Sequence, residues 1–376
     1  MSRNARPMRI AMIGQKGVPA TYGGIERHVE EIGARLVERG HSVRVYTRPY
    51  YAKGNDPHRG MERVPRPTLR TKHLDTPSHT LLATTDVLWK PVDIVHYHAL
   101  GPSAVSWMPR LRGMASVVTL HGLDWEREKW GPMASYLLQH CEYPALHCPN
   151  RTIAVSRTLQ RYFAEKYRIR PVYIPNGVGE PVARPAEILS SWGLESGGYY
   201  LFVGRLTPEK GAHLLLDAFS ALRTGKKLVI AGGSSFTDSY VEDLERRAPQ
   251  GTVFTGYVHG EQLEALWGHA YTVVLPSTLE GLSIALLEAL SFSRCVLVSD
   301  IPENLEVVGE DAPRFRSKDV EDLAHQLQRL EDHPEIVAAF ETKVSEDLAH
   351  RFQWGTVVDQ LESLYRRVLE GRPEPD

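Results

Sequence analysis

Short apolar runs alternate with amphipathic segments along the chain, and this pattern occurs twice. In the first half, the predicted strands cover residues 8–13, 42–46, 93–97, 116–120, 151–155 and 172–175. In the second half, they cover residues 199–203, 227–231, 252–255, 271–275 and 295–299. Helical segments separate these strands, and an apolar stripe at helical spacing predicts a terminal helix over residues 354–370. Strands that alternate with helices indicate an α/β protein with two doubly wound parallel sheets.

The length of the chain also favours two domains, because 376 residues exceed what one ordinary core accommodates. The last predicted strand of the first half ends just before Asn176-Gly177. We therefore predict domains over residues 1–177 and 178–353. Residues 49–77 are rich in Pro, Arg and Lys with little periodicity, and they predict a long irregular connection.

Composition is that of a soluble globular protein, and three cysteines do not suggest a disulfide framework. No apolar run is long enough for a membrane span or a signal peptide, so a cytoplasmic location is expected. Charge is uneven: residues 1–176 contain 26 Lys and Arg against 14 Asp and Glu, and the remainder contains 18 against 32. The basic half could meet an anionic membrane or a diphosphate-linked acceptor, or the two halves could simply complement each other.

The stretch from Leu275 to Leu290 has the pattern of a strand, a small-residue loop and a helix. Glu280 lies in the loop and Glu288 lies within the helix, where it interrupts an otherwise apolar run. The backbone N–H groups of residues 281–283 are expected at the helix N-terminus, which favours a phosphate. Carboxylates nearby suit the hydroxyl groups of a sugar or a ribose. This stretch therefore predicts a site for a nucleotide-sugar, although an exposed Glu and a capping Glu would explain the two residues separately.

A second element with phosphate-binding character follows the strand 199–203. Thr207 is predicted to cap a helix with Pro208 at its first position, which places Arg205 and Lys210 at the helix N-terminus. Cations there oppose the helix dipole, and an anionic ligand would resolve the conflict. Pairing of Lys210 with Glu209, or simple solvation, is the structural alternative.

In the first half, a glycine-bearing loop follows the first strand but lacks the dinucleotide fingerprint. The second strand ends at Thr47-Arg48 and not at an acidic residue, which disfavours a nicotinamide dehydrogenase. Gly17 still permits close backbone approach to a ligand. His121 follows a strand at the end where open α/β sheets bind their ligands. Zinc binding by the paired His and Cys of residues 140–148 is disfavoured, because their spacing repeats one helix face.

Together these motifs make the chain resemble the retaining GT-B glycosyltransferases of family 4. The resemblance covers nearly the full length. It is carried by the E-x7-E element, Glu280 to Glu288, and by the G-R-x4-K-G element, Gly204-Arg205 to Lys210-Gly211. The segments GVPATYGGIE and TLHGLDWEREKW resemble those of bacterial rhamnosyltransferase-like enzymes that build cell-surface polysaccharides.

The resemblance implies two Rossmann-like domains with an active site in the cleft between them, and a terminal helix that returns to the first domain. It also implies a role for each motif residue. The donor diphosphate would bind to Arg205, Lys210, Gly204 and the Gly17 N–H, and the ribose would bind to Glu288. The sugar would bind to Glu280, His121 and the backbone of Gly281, Leu282 and Ser283. The base would bind to Gly232, Tyr257 and Val258. The acceptor side would include Tyr22, Gly23, Gly24, Glu26 and Glu126.

The implied reaction moves a sugar from a nucleoside-diphosphate donor, with a UDP-sugar as the first candidate, to a glycan or polyprenyl-diphosphate-linked acceptor. The family uses no bound metal, so Arg205, Lys210 and helix N-termini would stabilise the leaving diphosphate. No cofactor and no nucleic-acid partner are expected, and peripheral contact with an anionic membrane is expected of the basic half. A nucleotide-sugar 2-epimerase on the same architecture and a non-catalytic nucleotide-sugar-binding protein are the alternatives.

Overall fold

The computed structural model describes residues 6–127, 130–234, 237–309, 312–343 and 351–372. The chain divides into two compact units, Met1–Asn176 with Trp354–Asp376, and Gly177–Gln353. The predicted division after residue 177 lies within one residue of this boundary. Among the described residues, no helix is both long enough and apolar enough to cross a bilayer.

The first unit contains a seven-stranded parallel sheet in the order β3-β2-β1-β4-β5-β6-β7. Its strands are β1 Arg9–Ile13, β2 Ser42–Thr47, β3 Glu62–Pro65, β4 Ile94–His98, β5 Ala115–Leu120, β6 Arg151–Ala154 and β7 Val172–Tyr173. Its helices are α1 Gly24–Glu38, α2 Asp75–Trp89, α3 Pro132–His140, α4 Glu142–His147, α5 Arg157–Tyr167 and the terminal helix Trp354–Glu370.

Both faces of this sheet are covered, which explains why its strands are continuously apolar. Ile10 and Met12 of β1 belong to one core, while Ala11 and Ile13 belong to the core on the opposite face. The terminal helix buries Val357, Val358, Leu361 and Leu364 in the first core, together with apolar residues of α1. The apolar stripe that predicted this helix is therefore the face that packs on the first unit.

Residues 49–77 are more regular than the sequence pattern suggests. They include β3, which pairs with β2, and the first residues of α2, which begins at Asp75. The prediction of an irregular connection was wrong here because β3 lies at the sheet edge and is mostly polar, so it has no apolar signature. Arg44 and Glu62 pair across these strands at 3.0 Å.

The second unit contains a six-stranded parallel sheet in the order β10-β9-β8-β11-β12-β13. Its strands are β8 Tyr199–Val203, β9 Lys227–Ala231, β10 Thr252–Gly256, β11 Thr272–Leu275, β12 Val296–Ser299 and β13 Arg314–Phe315. Its helices are α6 Ala212–Ser220, α7 Asp238–Arg247, α8 Gly260–His269, α9 Ile284–Ser291, α10 Pro302–Val308, α11 Val320–Asp332 and α12 Pro334–Lys343. The sequence pattern also predicts a helix over residues 334–352; it is described only to Lys343, and residues 344–350 lie outside the described residues.

Candidate active site

The two loops with the predicted donor-binding residues follow neighbouring strands of the second sheet. β8 lies beside β11, with β9 and β10 beyond β8 and with β12 and β13 beyond β11. The strand order therefore reverses between β8 and β11. Doubly wound sheets bind ligands at the carboxyl ends of their strands at such a reversal. The loops at this position are residues 204–211 after β8 and residues 276–283 after β11.

Lys210 and Glu280 form an ion pair between these two loops. Lys210 Nζ lies 2.5 Å from Oε1 of Glu280, and the side chains are 20% and 9% exposed. The Thr278 N–H also donates to the carbonyl oxygen of Glu209 at 2.9 Å, so the two loop backbones are joined. Solvent screens a shielded pair of this kind less than it screens a surface pair. The structure thus brings together a cation and a carboxylate that the sequence presents in separate motifs.

Two glycines allow the loops around this pair to approach closely. Gly211 has a φ of 73°, and a Cβ there would lie 2.1 Å from the carbonyl oxygen of Pro276. Gly232 follows β9, and a Cβ there would lie 1.8 Å from the carbonyl oxygen of Gly204. Any larger side chain would push backbone segments apart at the carboxyl ends of β8, β9 and β11.

The start of α6 differs from the prediction. Pro208–Lys210 form one 3₁₀ turn, Gly211 adopts the left-handed conformation, and α6 begins only at Ala212. Thr207 is therefore the N-cap of this 3₁₀ turn and not of α6. Lys210 ends this turn just before the N-cap of α6, and its charge is paired with Glu280. Arg205 lies earlier in the same loop and is partly exposed.

The helix of the second motif begins slightly later than the sequence predicts. Ser283 is the N-cap of α9, and its Oγ accepts a hydrogen bond from the Leu286 N–H at 3.3 Å. Gly281 and Leu282 precede the helix, so the N–H groups of its first turn belong to residues from Ile284 onwards. Glu288 is the fifth residue of α9 and is partly buried. Its predicted ribose contact stays a prediction.

Tyr257 supports the loop after β9 at the predicted base-binding edge. Its hydroxyl donates to the carbonyl oxygens of Gly233 and Ser234, at 2.9 and 3.1 Å. The Leu206 N–H donates to the same Gly233 oxygen at 2.9 Å, which links this edge to the loop that contains Lys210. Tyr257 is exposed and the next residue, Val258, is partly buried. A flat exposed ring beside two backbone segments is suited to contact a base.

The first sheet has its own reversal, between β1 and β4, and three histidines cluster at the carboxyl ends of its strands. Nδ1 of His98, the last residue of β4, lies 3.3 Å from Nε2 of His121, which follows β5. His28 of α1 has its ring centroid 4.9 Å from that of His121. These three residues could hold a metal ion, because one ligand atom from each lies within 4.8 Å of the others.

Burial lowers the pKa of every histidine in this region. It lowers the pKa of His28 to about 4, and burial together with the nearby His28 lowers the pKa of His96 to about 3. His98 and His121 have pKa values well below 6.5, first because of burial and then because of neighbouring histidines. At neutral pH His121 is therefore an uncharged imidazole. In that form it can donate one hydrogen bond and accept another.

We expect these four buried histidines, His28, His96, His98 and His121, to make the first unit sensitive to acid. An unfolded histidine binds a proton below about pH 6.5, whereas these folded ones do not, so stability falls as the pH drops from about 6.5 towards 4. Between pH 6.5 and 5, His96 alone should lower the unfolding free energy by about 2 kcal/mol. Urea unfolding of the His96→Gln protein at pH 7 and pH 5 should show a correspondingly smaller pH dependence. The exposed His140→Gln is the control, and equal pH dependence in both variants would contradict this assignment.

The glycine-rich loop after β1 is held by the helix that follows it. Glu26 is buried in the first turn of α1, and its Oε1 accepts a hydrogen bond from the Lys16 N–H at 3.0 Å. Gly23 is the N-cap of α1 and Gly24 is its first residue. Glu26 therefore positions the loop that contains Gly17, and this contact accounts for its burial without an acceptor.

Tyr22 lies in the same loop and is partly buried. The Lys16 Nζ lies 4.5 Å from the centroid of the Tyr22 ring, and the ring of Tyr51 packs edge-on against it at 4.9 Å. The Tyr51 hydroxyl also donates to the Tyr22 carbonyl oxygen at 2.7 Å. The predicted acceptor contacts of Tyr22 and its neighbours remain predictions.

The segment after β5 is fixed by a carboxylate that no sequence motif indicates. Glu142 of α4 is fully buried and accepts hydrogen bonds from Trp125, Tyr162, Lys166 and Tyr167, at 2.7, 3.0, 2.7 and 2.7 Å. Through Trp125 it holds the 3₁₀ turn Asp124–Glu126 that follows His121. Glu126 is exposed at the end of that turn.

Two models of known families match the two halves of the chain. The one described as Glycosyltransferase Family 4 matches residues 22–179, and the one described as Glycosyl transferases group 1 matches residues 197–333. The chain belongs to the family 4 glycosyltransferases. The O-antigen chain mannosyltransferase C of Escherichia coli is 25% identical over 97% of this chain and 100% of its own length.

Solved structures agree with this assignment at the level of the fold. Sucrose-phosphate synthase from Thermosynechococcus elongatus superposes with a TM-score of 0.81, 21% identity, and coverage of 97% of this chain and 100% of its own. Anabaena HepE in complex with UDP-glucose has a TM-score of 0.80, 18% identity, and coverage of 96% and 99%. These likenesses and the two parallel sheets confirm the predicted GT-B α/β fold.

Two of the three clustered histidines in the first unit, His28 and His98, were not identified from the sequence. His28 lies on α1 among charged residues, and nothing in its spacing separates it from a surface histidine. His98 alternates with His96 at the end of β4, where a lone histidine is more often a structural residue than a catalytic one. A usable signal was available for His98, because it ends a strand as His121 does and ligands bind at that end of the sheet.

Proposed function

We propose that this glycosyltransferase moves a sugar, with retention of configuration, from a nucleoside-diphosphate donor to a glycan or polyprenyl-diphosphate-linked acceptor. The observation that carries the proposal is the meeting of Lys210 and Glu280 at the reversal of the second sheet, at 2.5 Å. A bound donor diphosphate would pair with the Lys210 ammonium group and so weaken its pairing with Glu280. Glu280, freed from its ion pair, would then accept a hydrogen bond from a sugar hydroxyl.

In this proposal the second unit binds the donor. The diphosphate contacts Arg205, Lys210 and the backbone of Gly204, and the ribose contacts Glu288. The sugar and phosphate contact Gly281, Leu282 and Ser283. Gly232, Tyr257 and Val258 contact the base. A UDP-sugar is the first candidate, with support from HepE, whose structure was determined with UDP-glucose.

The first unit is proposed to bind the acceptor and to contribute His121 and the Gly17 N–H at the reacting end of the donor. The O-antigen mannosyltransferase among the relatives supports a role in bacterial cell-surface polysaccharide synthesis. Tyr22, Gly23, Gly24, Glu26 and Glu126 are the proposed acceptor side. The rhamnosyltransferase-like subgroup, the cytoplasmic location and contact with an anionic membrane belong to the same proposal.

The proposed chemistry is a displacement on one face of the sugar. The acceptor oxygen forms a bond to the anomeric carbon while the bond from that carbon to the phosphate oxygen breaks, and the departing phosphate takes the acceptor's proton. Charge builds up on the leaving diphosphate, so the cations of Arg205 and Lys210 stabilise the transition state more than the ground state.

A donor panel tests this function. UDP-, GDP-, ADP- and dTDP-linked sugars are compared by thermal shift, where saturation at 100 times Kd adds about 2.7 kcal/mol of stability. The stabilising donor is then incubated with lipid-linked acceptors and the products are identified. Transfer supports the proposal, whereas an isomerised donor indicates the epimerase and tight binding without turnover indicates a binding protein.

We expect excess EDTA to leave the transfer rate unchanged, because Arg205 and Lys210 supply the positive charge that a metal would otherwise provide. Initial rates with and without chelator, after extensive dialysis, measure this. Loss of activity with EDTA and its recovery with a divalent ion would contradict metal independence. It would also direct attention to His28, His98 and His121 as the ligands.

A further inference from the structure

Three histidines of the first unit converge at the carboxyl ends of β4 and β5. One ligand atom from each of His28, His98 and His121 lies within 4.8 Å of the others. Among the described residues, this is the one group of three His, Cys, Asp or Glu side chains that meets so closely. Converging imidazole nitrogens are ligands that suit Zn²⁺ and related transition metals. The three rings are therefore a candidate metal site as well as part of the candidate active site.

The spacing of His98 and His121 fits a shared metal ion. Nδ1 of His98 lies 3.3 Å from Nε2 of His121. Two nitrogens that bind one tetrahedral Zn²⁺ at about 2.0–2.1 Å lie about 3.3 Å from each other. The ring of His28 meets that of His121 edge-on, with centroids 4.9 Å apart, so it approaches from another direction. A rotation of the His28 side chain completes a set of three ligands, with water as the fourth.

Two of these rings have a buried nitrogen that no other group satisfies. Nδ1 of His28 and Nε2 of His98 lack a hydrogen-bond partner among the described residues, and the two residues are 3% and 0% exposed. Buried polar atoms are normally paired, because an unpaired one is destabilising. His96 in the same core is paired, since its Nδ1 and Nε2 lie 2.7 Å from the hydroxyls of Tyr365 and Thr119. The unsatisfied nitrogens thus belong to the converging rings.

The surroundings of the cluster also suit a bound metal. A ligating histidine usually binds a second group through its other ring nitrogen, which fixes the orientation of the ring. Asn176 forms a hydrogen bond of this kind with the ring of His28. His121 is partly exposed while His28 and His98 are buried, so an ion enters the cluster past His121.

We propose that His28, His98 and His121 form a Zn²⁺ site whose occupation inhibits the transferase. The ion binds Nε2 of His121, and the proposed function places this side chain at the reacting end of the donor. A nitrogen that ligates a metal can no longer form a hydrogen bond with the sugar. The inhibition rests on the proposed function, whereas binding of the ion does not. The ion acts as an inhibitor and not as a cofactor, so the proposal agrees with metal-independent transfer.

Titration with Co²⁺ tests the site on the full chain, purified without a polyhistidine tag and in the absence of donor and acceptor. Co²⁺ replaces Zn²⁺ in histidine sites, and its visible absorption is much stronger in a tetrahedral site than in water. The dialysed protein should bind one Co²⁺ per chain with this absorption, and one equivalent of Zn²⁺ should abolish it. A spectrum that matches the aqueous ion would overturn the proposal.

Variants of the cluster assign the bound metal to its ligands. His28→Gln and His98→Gln should each weaken Co²⁺ binding at least about tenfold, because each removes one of three ligands. His96→Gln is the matched control, since His96 is also buried and its ring lies 4.1 Å from that of His98. It should keep the wild-type affinity, and circular dichroism checks that each variant is folded. Equal affinity in all three variants would overturn the proposal.

Inhibition is measured separately, with the donor and acceptor that support transfer. Zn²⁺ should lower the initial rate of the wild-type enzyme, and EDTA should restore it. His28→Gln should need at least about tenfold more Zn²⁺ for half-inhibition, relative to its own metal-free rate. Zn²⁺ binding without loss of rate would overturn the inhibitory role. Absence of transfer with every donor would instead contradict the proposed function, and the Co²⁺ titration would still decide whether the metal site exists.

Discussion

Lys210→Ala is expected to lower kcat at least about 100-fold, equivalent to about 2.7 kcal/mol of transition-state stabilisation. The side chain is 20% exposed and is held at the reversal of the second sheet by its 2.5 Å ion pair with Glu280. A cation fixed in this way needs little rearrangement when charge develops on a leaving diphosphate. Initial rates with the donor identified by the panel measure the effect.

The second unit contains a matched control for Lys210. Lys226 Nζ lies 3.0 Å from Oε2 of Glu331, and these side chains are 25% and 12% exposed, close to the values of the Lys210–Glu280 pair. Lys226 immediately precedes β9, so it lies at the amino end of the sheet, away from the ligand-binding end. Lys226→Ala should lose a comparable ion pair and keep wild-type kcat. Wild-type kcat in Lys210→Ala, or an equal loss in both variants, would remove the proposed role.

Much of the architecture was predictable because parallel strands buried on both faces are continuously apolar. β1, β5, β8 and β11 were found at nearly their observed bounds for this reason. The edge strands β3 and β13 were not found, since β3 is polar and β13 has only two residues. The periodicity of the sequence could not predict the order of the strands in each sheet, although this order places β8 beside β11.

The candidate site residues also differ in how far local sequence could indicate them. Lys210 and Glu280 could be proposed from the sequence because each lies in a motif whose local chemistry suits a ligand, and the structure shows that they form an ion pair. His28, His98 and Glu142 became evident only in three dimensions, because their partners come from other elements. Glu142, for example, is bound by side chains that lie 17 to 25 residues away in sequence. The helix start at Ala212 was mispredicted because Gly211, with a φ of 73°, separates the 3₁₀ turn from α6.

Gly232→Ala is expected to damage the second unit more than any other single methyl addition discussed above. The added Cβ would lie 1.8 Å from the carbonyl oxygen of Gly204 and 2.9 Å from its carbonyl carbon, and a backbone segment cannot move aside as a flexible side chain can. The carboxyl ends of β8 and β9 would have to separate. Overpacking together with backbone strain at a φ of 156° should cost about 3 kcal/mol or more in unfolding free energy.

The Gly232→Ala substitution should also weaken donor binding, because Gly204 begins the loop that contains Arg205 and Lys210. Gly251→Ala separates this effect from strain alone, since Gly251 also has a positive φ, 88°, while a Cβ there would meet no described atom within 4 Å. That control should lose only about 1 kcal/mol and bind the donor normally. Urea unfolding and donor-induced thermal shifts of the two variants provide the comparison. If Gly232→Ala matched Gly251→Ala in both measurements, the close contact of β8 and β9 would not be what shapes the donor site.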